Sequence, residues 1–218
     1  MRRGNYNPLK LKTPNADTLS LRLITKGSKV LELGCSTGYL GKVMKKDLYC
    51  KVIGVEINSK MAKRAATFLD KVIDGDIEDE KVLLQIKKEG PYDVVFASAI
   101  LEHLVYPKKI LKKLTPLLKK SGYFVITLPN IAHYTARFSI LAGNFNYQDA
   151  GLFDKTHLHF YTLSTARELL TAVGLKITQE DYEFFGPKPL SILFRHLPTL
   201  FAYQIVLEAH SRKFYANH

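Results

Sequence analysis

Short apolar runs alternate along this chain with stretches whose apolar residues repeat at helical spacing. Residues 29–33, 51–55, 71–73, 93–97 and 123–128 read as five strands. Val94, Val95 and Phe96 follow one another without a polar break, as in a strand buried on both faces. Between the strands, 38–46 puts Leu40, Val43 and Met44 on one helical face. Asn58 or Ser59 caps a helix reaching about Leu69. A helix through 82–88 stops at the breaker pair Gly90-Pro91. Pro107 opens another that runs to about Lys119 and ends at Ser121-Gly122. Short connections between alternating strands and helices predict a doubly wound, mostly parallel sheet, and right-handed crossovers place helices on both faces.

The rhythm breaks after Pro129. Residues 130–162 are aromatic and polar, with Gly143 and Gly151, and include His133, His157 and His159. A segment of this kind at the carboxyl end of a strand reads as a lid or binding element. The α/β pattern then resumes. Thr165-x-x-Glu168 reads as a capping box for a helix to about Val173, closed by Gly174. Residues 175–181 and 204–209 read as the last two strands, and 187–202 as an apolar helix broken at Pro198. Before the first strand, Leu19, Leu21, Leu23 and Ile24 suggest a short element packed on the fold. The expectation is one domain over 1–218, with a core at about 19–128 and 163–210 and an insertion at about 129–162.

Hydrophobic residues make up 46% of the 218 positions, enough for a sizeable core. The formal charge is +12, which admits an anionic partner or simply a lysine-rich solvated surface. The basic residues are dispersed in pairs such as Lys45-Lys46 and Lys112-Lys113 rather than gathered in one block. Cys35 and Cys50 form neither a disulfide framework nor a metal cluster and suit a reducing, cytoplasmic setting. The amino terminus shows no apolar signal region, and no apolar run reaches the ~18 residues of a membrane span.

The stretch with the clearest chemistry is Leu33-Gly34-Cys35-Ser36-Thr37-Gly38, which leaves an apolar strand and enters a helix. A glycine bend there exposes main-chain N–H groups to a ligand. The spacing is not that of a dinucleotide fingerprint, and no phosphate-binding lysine follows, which excludes a P-loop. Glu32, expected at the mouth of the turn, repels anions and suits a ligand carrying an ammonium or sulfonium cation. Glu56 ends the second strand about 20 positions past Gly34, the spacing of an acid that binds ribose hydroxyls.

These residues resemble motif I of class I S-adenosylmethionine-dependent methyltransferases. Gly75-Asp76-Ile77 is similar to the family's adenine-facing pair, and Tyr92-Asp93-Val94-Val95-Phe96-Ala97 to its fourth-strand motif. Leu101-Glu102-His103-Leu104, Leu128-Pro129-Asn130 and Asp154-Lys155-Thr156-His157-Leu158-His159-Phe160-Tyr161-Thr162 resemble a bacterial subgroup found with glycan and cell-envelope biosynthesis. The resemblance covers about residues 19–180. It implies a Rossmann-like, seven-stranded fold and S-adenosyl-L-methionine as cofactor. Glu32, Gly34, Cys35, Ser36, Thr37, Gly38, Tyr39, Glu56, Ile57, Asp76, Ile77 and Ala97 are the cofactor-binding positions it implies. One departure stands out: Ala99 occupies a position that is often acidic in relatives, a role open to Glu102.

Methyl transfer is chiefly a matter of alignment, with a general base useful for an oxygen or nitrogen acceptor. His103, His157 and His159 are the candidate catalytic residues, His157 and His159 being placed to share one face, with Asp154 as an orienting partner. His133, Tyr134, Arg137 and Tyr161 are candidate substrate contacts. No metal is expected, since the histidines have no fixed ligand spacing. The expected substrate is a small molecule, such as a sugar or a lipid-linked glycan intermediate. The alternatives are a cofactor-binding partner protein without activity, or a nucleic-acid methyltransferase, which lacks support from any amine-methylation motif. Residues 189–202 suit a peripheral membrane contact, a dimer helix or a cover for the sheet, and the assembly is left between monomer and homodimer.

Overall fold

The computed structural model describes residues 14–185, 194 and 196–212. The first five strands are β1 (Lys29–Leu33), β2 (Lys51–Glu56), β3 (Lys71–Asp74), β4 (Tyr92–Ser98) and β5 (Leu118–Pro129). With β6 (Leu175–Phe184) and β7 (Ala202–Ser211) they form one seven-stranded sheet in the order β3-β2-β1-β4-β5-β7-β6. The first five run parallel, and β7 lies antiparallel between β5 and β6. The expected Rossmann-like sheet is therefore present. Its strand order reverses between β2-β1 and β4, which opens a crevice at the carboxyl ends of the strands.

Residue alternation divides the core. Leu31, Leu33, Ile53, Val55, Val95 and Ala97 face one side of the sheet. Val30, Val52, Val94 and Phe96 face the other. The first side is covered by α4 (Glu80–Glu89), α5 (Pro107–Leu114) and α7 (Leu163–Thr171). The second is covered by α1 (Ala16–Arg22), α2 (Tyr39–Leu48) and the residues around α3 (Ser59–Ala65). Each fully buried leucine, isoleucine or phenylalanine here contributes about 1.5–3 kcal/mol. Among the described residues, no helix is long and apolar enough to cross a membrane.

Local chemistry sets the ends of these elements. Asn15, Asn58 and Asp79 each accept a backbone N–H at a helix start. The lysine pairs sit in the last turns of α2, α4 and α5, where positive charge meets the negative end of the helix dipole. Part of the dispersed basic charge thus serves the helix ends.

Several expected boundaries move. The helix opened by Pro107 stops at Leu114, because Pro116 removes an N–H and crowds the preceding turn. A 3-10 turn over Thr115–Leu117 follows, and β5 begins at Leu118. The third helix ends at Ala65 and not near Leu69, where the Thr67 hydroxyl donates to the Arg64 carbonyl at 2.8 Å. The capping box before α7 pairs Thr162 with Thr165, not Thr165 with Glu168. The apolar segment at 187–202 lies outside the described residues except at 194 and 196–202, where Pro198–Phe201 forms the short α8. In the insert, α6 (Tyr134–Leu141) is its one regular helix among the described residues.

Candidate active site

The turn after β1 is built from backbone conformations that most side chains avoid. Gly34, Ser36 and Gly38 have φ of 62°, 51° and 75°. A β-carbon on Gly38 would come within 3.0 Å of the Ala65 α-carbon, so glycine is required there on two counts. Gly38 starts α2, and its N–H donates to the Cys35 carbonyl at 2.8 Å.

Glu56 holds the turn. One carboxylate oxygen accepts the Ser36 N–H at 2.8 Å, and the other accepts the Asn58 N–H at 2.8 Å. A single acid thus fixes both the glycine turn and the entry to α3. Glu56 also lines a cavity of about 230 Å³ with Gly34, Ile57, Asp76, Ile77 and His103. Asp76 shapes the rim by accepting the Glu78 N–H at 2.8 Å. Glu78 in turn accepts the Val105 and Tyr106 N–H groups at 2.8 and 2.7 Å and ties the post-β4 loop over the cavity. Glu78 and Ile100, another lining residue, were not anticipated. Their roles come from a contact between distant loops, which no local pattern announces.

The other expected cofactor positions divide. Ser36, Thr37 and Tyr39 line a second cavity of about 530 Å³ with Met61 and Arg64. Ile57 is 66% exposed, whereas Ile77 is buried. Ala97 is enclosed in the sheet between Leu33 and Ile126 and is not among the lining residues. Cys35 turns its side chain into the core against Gly54, and burial, reinforced by Glu32 and Glu56, pushes the thiol up. Only its backbone belongs to the turn.

Glu32 is not at the mouth. It lies two positions from Val30 and so shares that residue's face, towards α2, beneath Gly41 and 3% exposed. Burial, opposed by a hydrogen bond from the Gly41 backbone and assisted by Glu56, pushes its carboxyl up to about 8. One of its oxygens has no hydrogen-bond partner.

The histidines separate as well. His103 and His157 come together, with ring centroids 4.8 Å apart at 65°. His103 Nδ1 lies 3.2 Å from the Thr156 carbonyl oxygen and 3.1 Å from its hydroxyl. His159, expected to share a face with His157, instead directs Nε2 to the Val105 carbonyl at 3.3 Å. It lines a third cavity of about 480 Å³ with Tyr161 and α5 and α7 residues. Burial and the neighbouring His103 push the His157 imidazole down.

Asp154 does not hydrogen-bond the His157 ring. Its carboxylate accepts the Thr156 N–H and hydroxyl at 2.8 and 2.6 Å. Burial works against the charge, but these bonds and then the two histidines hold it below the usual range. Glu102 is 1% exposed and reaches the same place, its carboxyl pushed up to about 8 by burial and further by Asp154. The expectation of no metal set rested on spacing along the chain; the fold brings donor atoms of Glu102, His103 and His157 within 4.8 Å of one another.

The four candidate substrate contacts sit in different settings. His133 caps α6, with Nδ1 2.7 Å from the Thr135 hydroxyl, and burial pushes its imidazole down. Arg137 donates from Nε to the Ala132 carbonyl at 2.6 Å. Tyr134 packs near Phe138 and Phe201, while Tyr161 joins the core cluster of the sheet.

Residues 9–180 match the model of a methyltransferase-domain family. The chain belongs to that family. This methyltransferase domain is 29% identical over 130 residues to a ubiquinone biosynthesis O-methyltransferase of Xanthomonas oryzae pv. oryzae. That match covers 58% of the chain and 54% of the relative, so the domain spans about half the length of the curated relatives it matches. A solved S-adenosylmethionine-dependent methyltransferase from Archaeoglobus fulgidus shares the fold with a TM-score of 0.61 at 21% identity, over 90% of this chain and 94% of the other. Magnesium protoporphyrin IX methyltransferase from Synechocystis, solved with its methyl donor bound, overlays with a TM-score of 0.57 at 16% identity, over 90% of this chain and 77% of the other.

Proposed function

We propose that this methyltransferase domain moves a methyl group from S-adenosyl-L-methionine to a small-molecule acceptor. The observation that carries the reading is the Glu56 carboxylate, held at the wall of the cavity by two backbone N–H groups. A buried carboxylate with lone pairs left toward a cavity is a ribose-diol acceptor. Gly34 brings main chain close to the ligand, and Ile77 and Ile100 supply an apolar wall for a base. The bound cofactor supplies an electrophilic methyl on a sulfonium.

The protein's part is to hold the acceptor in line and take its proton. His103 borders the cofactor cavity with His157 against it, so the acceptor's reacting atom belongs at that end. An oxygen acceptor suits this pair and agrees with the O-methyltransferases that the chain resembles. The exposed aromatic face of the insert, Phe138, Phe145 and Tyr147, suits a sugar or a lipid-linked glycan intermediate. We place the activity in the cytoplasm.

Calorimetry with S-adenosylhomocysteine tests the reading. The full chain binds it, and Glu56→Ala weakens binding by about 1–3 kcal/mol, the worth of charged hydrogen bonds. Absence of binding by the parent chain would sink the reading. Unchanged affinity in the variant would remove Glu56 from the site. Binding without turnover on any acceptor would make the chain a cofactor-bound partner protein.

A further inference from the structure

We propose that Glu102, His103 and His157 form a binding site for one divalent transition-metal ion, where the carboxyl end of β4 meets the insert. The three side chains come from two segments far apart in the chain, and their donor atoms lie within 4.8 Å of one another. Donors on a single zinc-sized ion stand about 3–3.5 Å apart, given metal–ligand lengths of ~2.0–2.2 Å. Side-chain rotation of roughly 1–2 Å in total therefore closes the set.

The atoms left without partners are the ones a cation needs. Glu102 is buried, and its Oε2 has no hydrogen-bond partner. His157 Nδ1 is likewise buried and unpartnered. A buried carboxylate oxygen with nothing to accept from is costly to keep. Among the described residues, no lysine or arginine forms an ion pair with Glu102.

The surroundings supply orientation. His103 Nδ1 faces the Thr156 carbonyl, which leaves Nε2 for the ion. A backbone carbonyl on the far ring nitrogen is the usual way a ligating imidazole is oriented. The Leu158 and His159 N–H groups both donate to the Glu102 carbonyl, at 2.8 and 3.1 Å, and hold the insert segment against the loop. The Asp154 carboxylate, fixed by Thr156, adds negative charge beside the set. The two rings meet edge to face at 65°, so they are not stacked on one another.

Two imidazoles and one carboxylate favour Zn²⁺, Co²⁺ or Fe²⁺ over Mg²⁺ or Ca²⁺, which prefer all-oxygen sets. The site stands on this geometry and does not depend on the methyl acceptor. Its consequence rests on the methyltransferase reading: His103 lines the cofactor cavity, so a cation there acidifies an acceptor hydroxyl that coordinates it.

Cobalt titration of the full chain, freed of metal by a chelator, tests the site. Ligand-field absorption reports inner-sphere nitrogen and oxygen donors, and equilibrium dialysis reports stoichiometry. The expected result is one Co²⁺ per chain, with affinity reduced at least tenfold in Glu102→Gln and in His157→Asn. His196→Ala, on an exposed turn, keeps the parent affinity. S-adenosylhomocysteine binding in the same samples checks that each variant is folded. The site is overturned if the parent chain shows no ligand-field bands, or if the folded variants bind Co²⁺ as tightly as the parent. Cofactor binding without cobalt binding defeats this proposal alone; cobalt binding without cofactor binding defeats the methyltransferase reading and leaves the site.

Discussion

The turn after β1 and the insert after β5 stand at carboxyl ends of strands separated only by β4, yet they follow opposite rules. The turn is almost all backbone. Its glycines sit at left-handed φ, its one cysteine points into the core, and Glu56 fastens it through main-chain N–H groups. The insert is largely side chain. Leu141 is 82% exposed and Phe138 66%, and the helix that carries them rests on a small cluster of Ala136, Leu152 and Phe153. A site made of backbone can hold only one ligand shape, whereas a surface made of exposed side chains can change ligand by substitution. Substitutions should therefore be costly in the first region and cheap in the second.

The largest effect is expected beneath the turn, at Glu32. Its carboxyl is neutral when folded until the pH nears 8, against an ordinary value of 4.5. A raised value means that the folded state binds the proton more tightly than the unfolded one. The contribution is fully present below about pH 4.5 and is lost as the pH rises through 8. The full shift corresponds to about 5 kcal/mol. Urea unfolding of the parent and of Glu32→Gln between pH 5 and 9 isolates this carboxyl from every other titrating group. The parent should lose stability relative to the variant as the pH rises. Parallel curves would show that Glu32 is solvated or charged in the folded protein.

Next comes Gly38→Val. The β-branched side chain meets a left-handed φ, strained by roughly 1–2 kcal/mol. It also runs into the Ala65 backbone, where overpacking costs about 1–3 kcal/mol. A loss of about 3 kcal/mol in denaturant unfolding is expected, with S-adenosylhomocysteine binding abolished. A variant of parental stability would mean that α3 yields, and that the turn is less tightly built than its contacts indicate.

The same contrast explains what could be read in the sequence. Strands such as β4 were legible because two-sided burial writes an unbroken apolar run, and the glycine turn because its conformation restricts the residue type. Glu56 was legible by position, at the end of an otherwise apolar strand. The direction of Glu32 is readable too: with a period of two it shares the face of Val30, towards α2, and so does not reach the mouth of the turn. Pro116, and not Ser121-Gly122, is the residue that marks the end of α5. The meeting of Glu102 and His103 with His157 is of another kind. It depends on how the insert folds back on the β4 loop, through Leu158 and His159 amides on one carbonyl, and no local pattern encodes that return.

The smallest effect should come from the insert's exposed face, in the double variant Phe138→Ser, Leu141→Ser. Both side chains stand on α6 largely in solvent, so little buried apolar area is removed. Surface changes of this kind stay within about 0.5 kcal/mol each. Thermal and urea unfolding should barely move, and S-adenosylhomocysteine affinity should not change, since neither residue lines the cavity at Glu56. What should change is the KM for an acceptor that carries a lipid or sugar, because the apolar face offered to it has been made polar. A stability loss well above 1 kcal/mol would show that α6 is covered by protein and is no acceptor surface. An unchanged KM with unchanged stability would move acceptor recognition away from α6, to the cavity bounded by Ser36, Thr37 and Tyr39 or to that lined by His159 and Tyr161.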